Sequence, residues 1–285
     1  MNLSIFFLIL FAAFLHAGWN IIIKSLNNSL VAMGVMVFFQ SLIFVPVVFY
    51  SIISDILPIP SGITWFYILG SVFLHNIYFI TLGKSYNKGD LTFIYPVSRG
   101  CAPVFVTILS IIFLKENISN IGIVGILIVS SGLLFLSLEN YKKKVNLNIL
   151  RISVFIALII SFYTFCDGAG VRSVNNSFTY IIWLFFLEGW VTLGYVYIVQ
   201  KDEIFKIKKK ELTLICIGSL MSFSAYSITI WAMKHVQIGY VASIRESSII
   251  MAILISALVL KAKVTWIKYV ASSIIFGGVY LIYNS

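Results

Sequence analysis

Five charged side chains, Arg99, Asp167, Glu188, Arg245 and Glu246, and two histidines, His16 and His75, lie inside long apolar runs of a 285-residue chain. A charge at the centre of a bilayer costs about 2.5–3.5 kcal/mol on insertion scales, so each must have a partner, a cavity or a function. Arg99 follows Tyr95 by four residues and lies between Pro96 and Pro103. Spacing by four puts the ring and the guanidinium on one helical face. Arginine's planar fork suits a carboxylate or phosphate, which makes Arg99 a candidate anion anchor. The structural alternative is a tie to Glu188, Asp167 or a carbonyl oxygen. Arg245 and Glu246 are adjacent and cannot share a face, so they are not expected to satisfy one another fully. A buried carboxyl can hold a proton near neutral pH. Asp167, Glu188 and Glu246 are therefore candidates for proton coupling, against the alternative that the first two neutralise the arginines.

Around these charges lie polar and aromatic groups that could bind a small molecule. His16 and Asn20, four apart with Trp19 beside them, form one polar face. His75 has Asn76 and Tyr78 as near neighbours, Tyr163 precedes Asp167 by four, and Tyr226 stands among hydroxyl-bearing residues. The candidate substrate-binding set is His16, Trp19, Asn20, His75, Tyr78, Tyr95, Arg99, Tyr163, Tyr226 and Arg245. Trp183 and Trp190 flank Glu188, an arrangement that would also suit an organic cation. The spacing offers no metal site. No cofactor motif, nucleophile motif or paired acid is present, and the reading is not an enzyme. Cys101, Cys166 and Cys216 all fall within apolar runs and read as buried hydrophobes.

The elements that carry these residues follow from composition. The chain is 60% hydrophobic and 11% charged, whereas soluble domains run at about 25% charged. Lipid is the solvent such a chain requires. The apolar runs predict spanning helices at about 3–24, 31–53, 63–84, 91–114, 119–138, 149–171, 178–199, 212–234, 239–260 and 264–283. The first run lacks a basic leader and reads as a retained helix rather than a signal peptide. The +10 formal charge sits in the connections and not on a binding face, which argues against nucleic acid. Fifteen lysines and arginines occupy one set of alternate connections, among them Lys88, Lys142, Lys143, Lys144 and Lys263, and three occupy the other. This bias predicts a multi-pass cell-membrane protein with both termini outside and the loop 139–148 in the cytoplasm.

The two halves also correspond. Lys24-Ser25 and Arg172-Ser173 close the first span of each half, and Arg99 and Arg245 lie 146 positions apart in the fourth. An odd number of spans per repeat forces the second copy to insert upside down. The expected architecture is an all-α membrane protein of ten helices in two inverted five-helix repeats, 1–140 and 141–285. Inverted repeats are the mark of secondary transporters with a site near the midplane.

The residues resemble the drug/metabolite transporter superfamily, EamA type, over the whole chain. The likeness rests on Leu15-His16-Ala17-Gly18-Trp19-Asn20 with Lys24, on Gly89-Asp90 leading to Tyr95-Pro96-Val97-Ser98-Arg99 and Pro103, on Leu114-Lys115-Glu116, and on Gly239 to Ser248. It implies a basket in which spans one, three, four, six, eight and nine line a cavity and spans five and ten are peripheral. Ala262 stands where a second Glu116 would align, so Glu116 is left out of the site. The expected function is a secondary active exporter or exchanger of a small polar, anionic or zwitterionic metabolite, working in the bilayer as a monomer or homodimer. Protons or a counter-substrate would drive it. The alternatives are a multidrug or organic-cation exporter and a membrane-embedded lipid-modifying enzyme.

Overall fold

The computed structural model describes residues 1–54, 56–88, 91–140, 147–258, 261 and 264–285, with the side chains of 85–88, 91–92 and 140 left aside. Gly89-Asp90, Lys142 to Lys144 of the central loop, Ala262 and Lys263 lie outside the described residues, as does the side chain of Lys88. Among the described residues, ten helical segments are long and apolar enough to cross a membrane. They are α1 (Leu3–Ser25), α2 (Ser29–Ser54), α3 (Ile63–Lys88), α4 (Leu91–Leu114), α5 (Asn120–Leu136), α6 (Leu147–Arg172), α7 (Ser177–Phe205), α8 (Lys209–His235), a ninth made of α9 (Ile238–Arg245) and α10 (Ser248–Leu258), and α11 (Trp266–Tyr283).

Short polar connections start these helices by satisfying their first N–H groups. Asn2, Ser119 and Asn176 accept from Ser4, Gly122 and Phe178 at the heads of α1, α5 and α7. Outward faces are apolar, with Phe7, Ile53, Phe113, Ile198 and Phe276 all more than half exposed. In water such a girdle would aggregate; against acyl chains it is the expected surface.

Packing respects the correspondence between halves. α2 lies on α7, α5 on α11 and α4 on α9, each a span against its own counterpart five spans later. The pair α1–α8 exchanges with α3–α6 under the same shift. Lys115 and Lys261, which end the fourth and ninth spans 146 positions apart, both adopt left-handed backbone, φ 52° and 51°. The α5–α11 seam is close enough to need glycine. A Cβ on Gly278 would lie 2.7 Å from the Val129 nitrogen, and one on Gly125 would lie 2.9 Å from the Gly278 oxygen.

The ninth span corrects the expectation of one continuous helix over 239–260. It breaks at Glu246-Ser247, where Glu246 N–H donates to Ser243 O and Ser247 N–H to Ile244 O, a tighter turn than the α-helix. No proline or glycine causes the break. Serines offer hydroxyls that compete for backbone groups, and Glu246 is drawn to a partner on α4. In α4, Pro96 and Pro103 are accommodated without a break, and Thr107 Oγ1 donates to the Pro103 carbonyl at 2.6 Å.

Candidate functional site

A cavity of about 30 Å³ lies where the halves meet, room for a water molecule or two. α1 contributes His16 and Trp19; α3 contributes His75, Tyr78 and Phe79; α6 contributes Tyr163; α8 contributes Ser222 and Tyr226; α9 contributes Arg245. α2 and α7 also reach it, through Gln40 and through Phe185 and Glu188. These two helices were not among those the resemblance assigned to the cavity, and α4 touches it only from behind. Gln40, an amide in the middle of a mostly apolar span, is a signal that the sequence carries without a charge. Its Nε2 donates to the Ser219 carbonyl at 3.3 Å. Phe79 and Phe185 carried no such signal, and Ser222 is one of the hydroxyls around Tyr226 that read from sequence as packing residues.

Eight of the expected residues line this cavity: His16, Trp19, His75, Tyr78, Tyr163, Tyr226, Glu188 and Arg245. The rest form a layer behind it. Asn20 turns back to donate to the His16 carbonyl at 2.8 Å. Tyr95 lies under the Arg99 guanidinium, 5.6 Å from ring centre to carbon. Asp167, fully buried, accepts from the hydroxyls of Tyr180, at 2.8 Å, and Tyr226. It therefore fixes one cavity wall and does not neutralise an arginine.

Arg99 and Arg245 differ in their surroundings. Arg99 Nε is 3.1 Å from Glu246 Oε2, and its Nη2 is 2.5 Å from His16 Nε2. The partner is thus Glu246, in place of the Glu188 or Asp167 weighed from sequence. The reason is topological: α4 packs on α9, so Arg99 faces the break in the other half. Arg245 Nη2 is 3.9 Å from Glu246 Oε1, as adjacency on one helix implies; its Nε, like Nε and Nη1 of Arg99, has no hydrogen-bond partner among the described residues, and the two arginines differ in their distance from Glu246. Its guanidinium carbon lies 5.8 Å from the Tyr226 ring centre. Glu246 is thus held more closely by Arg99, and Arg245 keeps charge toward the cavity.

Glu188 has a histidine where an arginine was expected. His75 Nδ1 is 3.7 Å from its Oε1, and the same nitrogen lies 3.0 Å from Ser71 Oγ. The His75 ring stacks on Tyr163, with centroids 3.9 Å apart. Trp190, half exposed, bonds the Phe186 carbonyl, and Trp183 packs on Trp65, so neither tryptophan forms the wall beside Glu188. The rings that line the cavity with Glu188 include Tyr163, Tyr226 and Phe185.

Glu116 has a role at one end of the bundle. It pairs with Arg172 at 2.6 Å and accepts from Ile238 N–H at 3.1 Å, binding the end of α4 to α6 and to the start of α9. Arg172 also donates to the Met233 and Val236 carbonyls.

Buried charges around a cavity between two corresponding five-span halves are accompanied by a family match. The profile of the EamA-like transporter family fits residues 3–138 and again 149–284. The chain belongs to the EamA-like transporter family. It is therefore a membrane transporter of small molecules and not an enzyme. A chain of known crystal structure superposes over 99% of this chain and 99% of its own, with a TM-score of 0.73 and 13% identity. That likeness shows the fold. No curated protein matches. In this EamA-like chain the stretches His16 to Asn20, Tyr95 to Arg99 and Gly239 to Ser248 meet around one cavity and the layer behind it.

Proposed function

We propose that the protein is a secondary active transporter that moves a small polar metabolite, anionic or zwitterionic, by alternating access, as exporter or exchanger. The observation that carries this reading is a pair of opposite charges on one aromatic cavity, Arg245 with an unpartnered Nε and Glu188 beside His75. A ligand carboxylate or phosphoryl group would meet Arg245, and an ammonium group would meet Glu188. Trp19, Tyr78, Tyr163 and Tyr226 would cover the carbon skeleton between them. A volume of about 30 Å³ is smaller than such a ligand, so the walls must part, and the halves 1–140 and 141–285 would rock about the cavity to do so. Of the three coupling candidates, Glu188 alone lines the cavity, which makes it the first choice for a proton site. Asp167 and Glu246 act from the layer behind. The Lys/Arg bias favours termini outside, so the Glu116–Arg172 pair, on the same end of the bundle, would close the outer side.

One observation favours a second reading. Glu188 among Tyr163, Tyr226 and Phe185 would also hold an organic cation. A thermal-stability screen on purified protein separates the two, because a ligand that binds only the folded state raises its apparent stability. Stabilisation by carboxylates, phosphorylated metabolites or amino acids, lost in Arg245→Gln, is expected. Stabilisation by lipophilic cations alone, kept in Arg245→Gln and lost in Glu188→Gln, would overturn the anion reading.

A further inference from the structure

Both ring nitrogens of His16 face hydrogen-bond donors. Arg99 Nη2 lies 2.5 Å from Nε2, and Trp19 Nε1 lies 3.2 Å from Nδ1. A guanidinium nitrogen and an indole nitrogen only donate, whereas a neutral imidazole has one lone pair to offer. The imidazolium form would have none. Turning the ring over would set carbons against both donors and lose both contacts. Two donors therefore compete for one acceptor, and distance decides between them. A separation of 2.5 Å has no room for two hydrogens, and a charged donor makes the stronger bond. Nε2 is the lone pair and Nδ1 carries the proton, so the Trp19 indole N–H loses Nδ1 as its acceptor and the two N–H groups, 3.2 Å apart, are both left for an outside oxygen.

Trp19 is buried at 3% exposure and lines the cavity. An N–H in that position loses about as much as an unmade hydrogen bond unless something accepts it. We propose that the Trp19 indole N–H is the donor for an oxyanion oxygen of the transported ligand, and that Arg99 is a positioning residue that frees it by holding His16 in the Nδ1–H tautomer. The proposal rests on the reading of this cavity as the substrate site. It also explains why an arginine is sealed behind the wall. Arg99, balanced by Glu246, acts through the imidazole and leaves direct contact with the ligand to Arg245. The ligand would then meet two donors, Arg245 from the second half and Trp19 from the first, which selects an oxyanion over a neutral polar group.

The tautomer can be read without knowing the ligand. In long-range proton–nitrogen spectra of 15N-histidine protein, the His16 signal is assigned by its loss in His16→Asn. The expected pattern is a protonated Nδ1 and a bare Nε2; a protonated Nε2, alone or with Nδ1, would overturn the proposal. Arg99→Lys should keep the tautomer and Arg99→Met should reverse it. Where Arg99→Met does not fold, the Arg99→Met/Glu246→Gln double variant removes the stranded charge and makes the same test. For the ligand step, inorganic phosphate, methylphosphonate and acetate serve as probes. Trp19→Phe should weaken the binding probe roughly tenfold at unchanged stability, and the Trp19 indole signal should move on binding to wild type. Probe binding unchanged by Trp19→Phe sinks the Trp19 assignment alone. Wild type that binds none of the three sinks the oxyanion reading of the cavity and the Trp19 assignment together.

Discussion

Arg99 and Arg245 sit 146 positions apart at matching places in the fourth and ninth spans, and the two helices pack on one another. Around Arg99 the helix is continuous in spite of two prolines, the charge is paired at 3.1 Å and the side chain is sealed from the cavity. Around Arg245 the helix breaks without a proline, the nearest carboxylate is 3.9 Å away, and the side chain lines the cavity. One carboxylate, Glu246, accounts for the difference. A single acid between two arginines can neutralise only one, and the turn at Glu246-Ser247 brings it closer to Arg99. In the proposed function the two halves divide the work that a strict repeat would have duplicated: span four supplies internal charge balance, and span nine supplies the charge that would meet a ligand.

This contrast can be broken most forcefully at Arg99. Arg99→Met strands Glu246 in the core and should cost about 3–5 kcal/mol of stability, the range for removing one partner of a buried pair. Adding Glu246→Gln should restore part of it, as thermal denaturation in detergent would show. Arg245→Gln should behave in the opposite way. Glu246 keeps Arg99, so the melting temperature should hold, while flux in proteoliposomes falls roughly 100-fold with the loss of a charge-assisted contact. If both arginines affected stability alone, the division of labour would be wrong. Straightening the ninth span with Ser247→Ala and Ser248→Ala together should lower flux by roughly tenfold or less at near-constant stability, since helix propensity changes by only a few tenths of a kcal/mol per residue. The smallest effect concerns where the spans remain alike. Lys115→Gly and Lys261→Gly should each stabilise by about 0.5–1 kcal/mol, because both lysines occupy left-handed backbone. Equal gains would confirm the matching ends, and unequal ones would confine the likeness to the backbone trace.

Much of the architecture could be read from residue types. Runs such as Leu3 to Ile23 and Ile121 to Leu136 are mostly apolar and hold no acid, lysine or arginine, and lipid leaves a helix as the only way to satisfy their backbones. The buried charges were equally visible, because charge is rare in such runs. Their partners were not. Arg99 meets Glu246 and His16 only because α4 packs on α9 and near α1, a tertiary fact that local spacing does not encode. Asp167 was legible as a buried acid, but its two phenols come from 13 residues later and 59 residues later. Gln40 shows a different gap. An uncharged amide stands out less than a charge, and its place on the cavity depends on α2 lying against α7 and α8. The break in span nine lacks the proline or glycine that usually marks one.

When Glu188 holds a proton, the charge on Arg245 is in excess and has an electrical consequence. It lies eight residues into a 21-residue span, where the field of an energised membrane acts on it, and a full crossing of that field is worth about 2.3 kcal/mol per 100 mV for each charge. A carrier of the proposed kind would move this charge through a fraction of the field as its halves rock, and a bound anion would cancel it. Membrane voltage would then bias the bare form of the carrier more strongly than the loaded one, so that the direction of net flow depends on polarisation as well as on concentration.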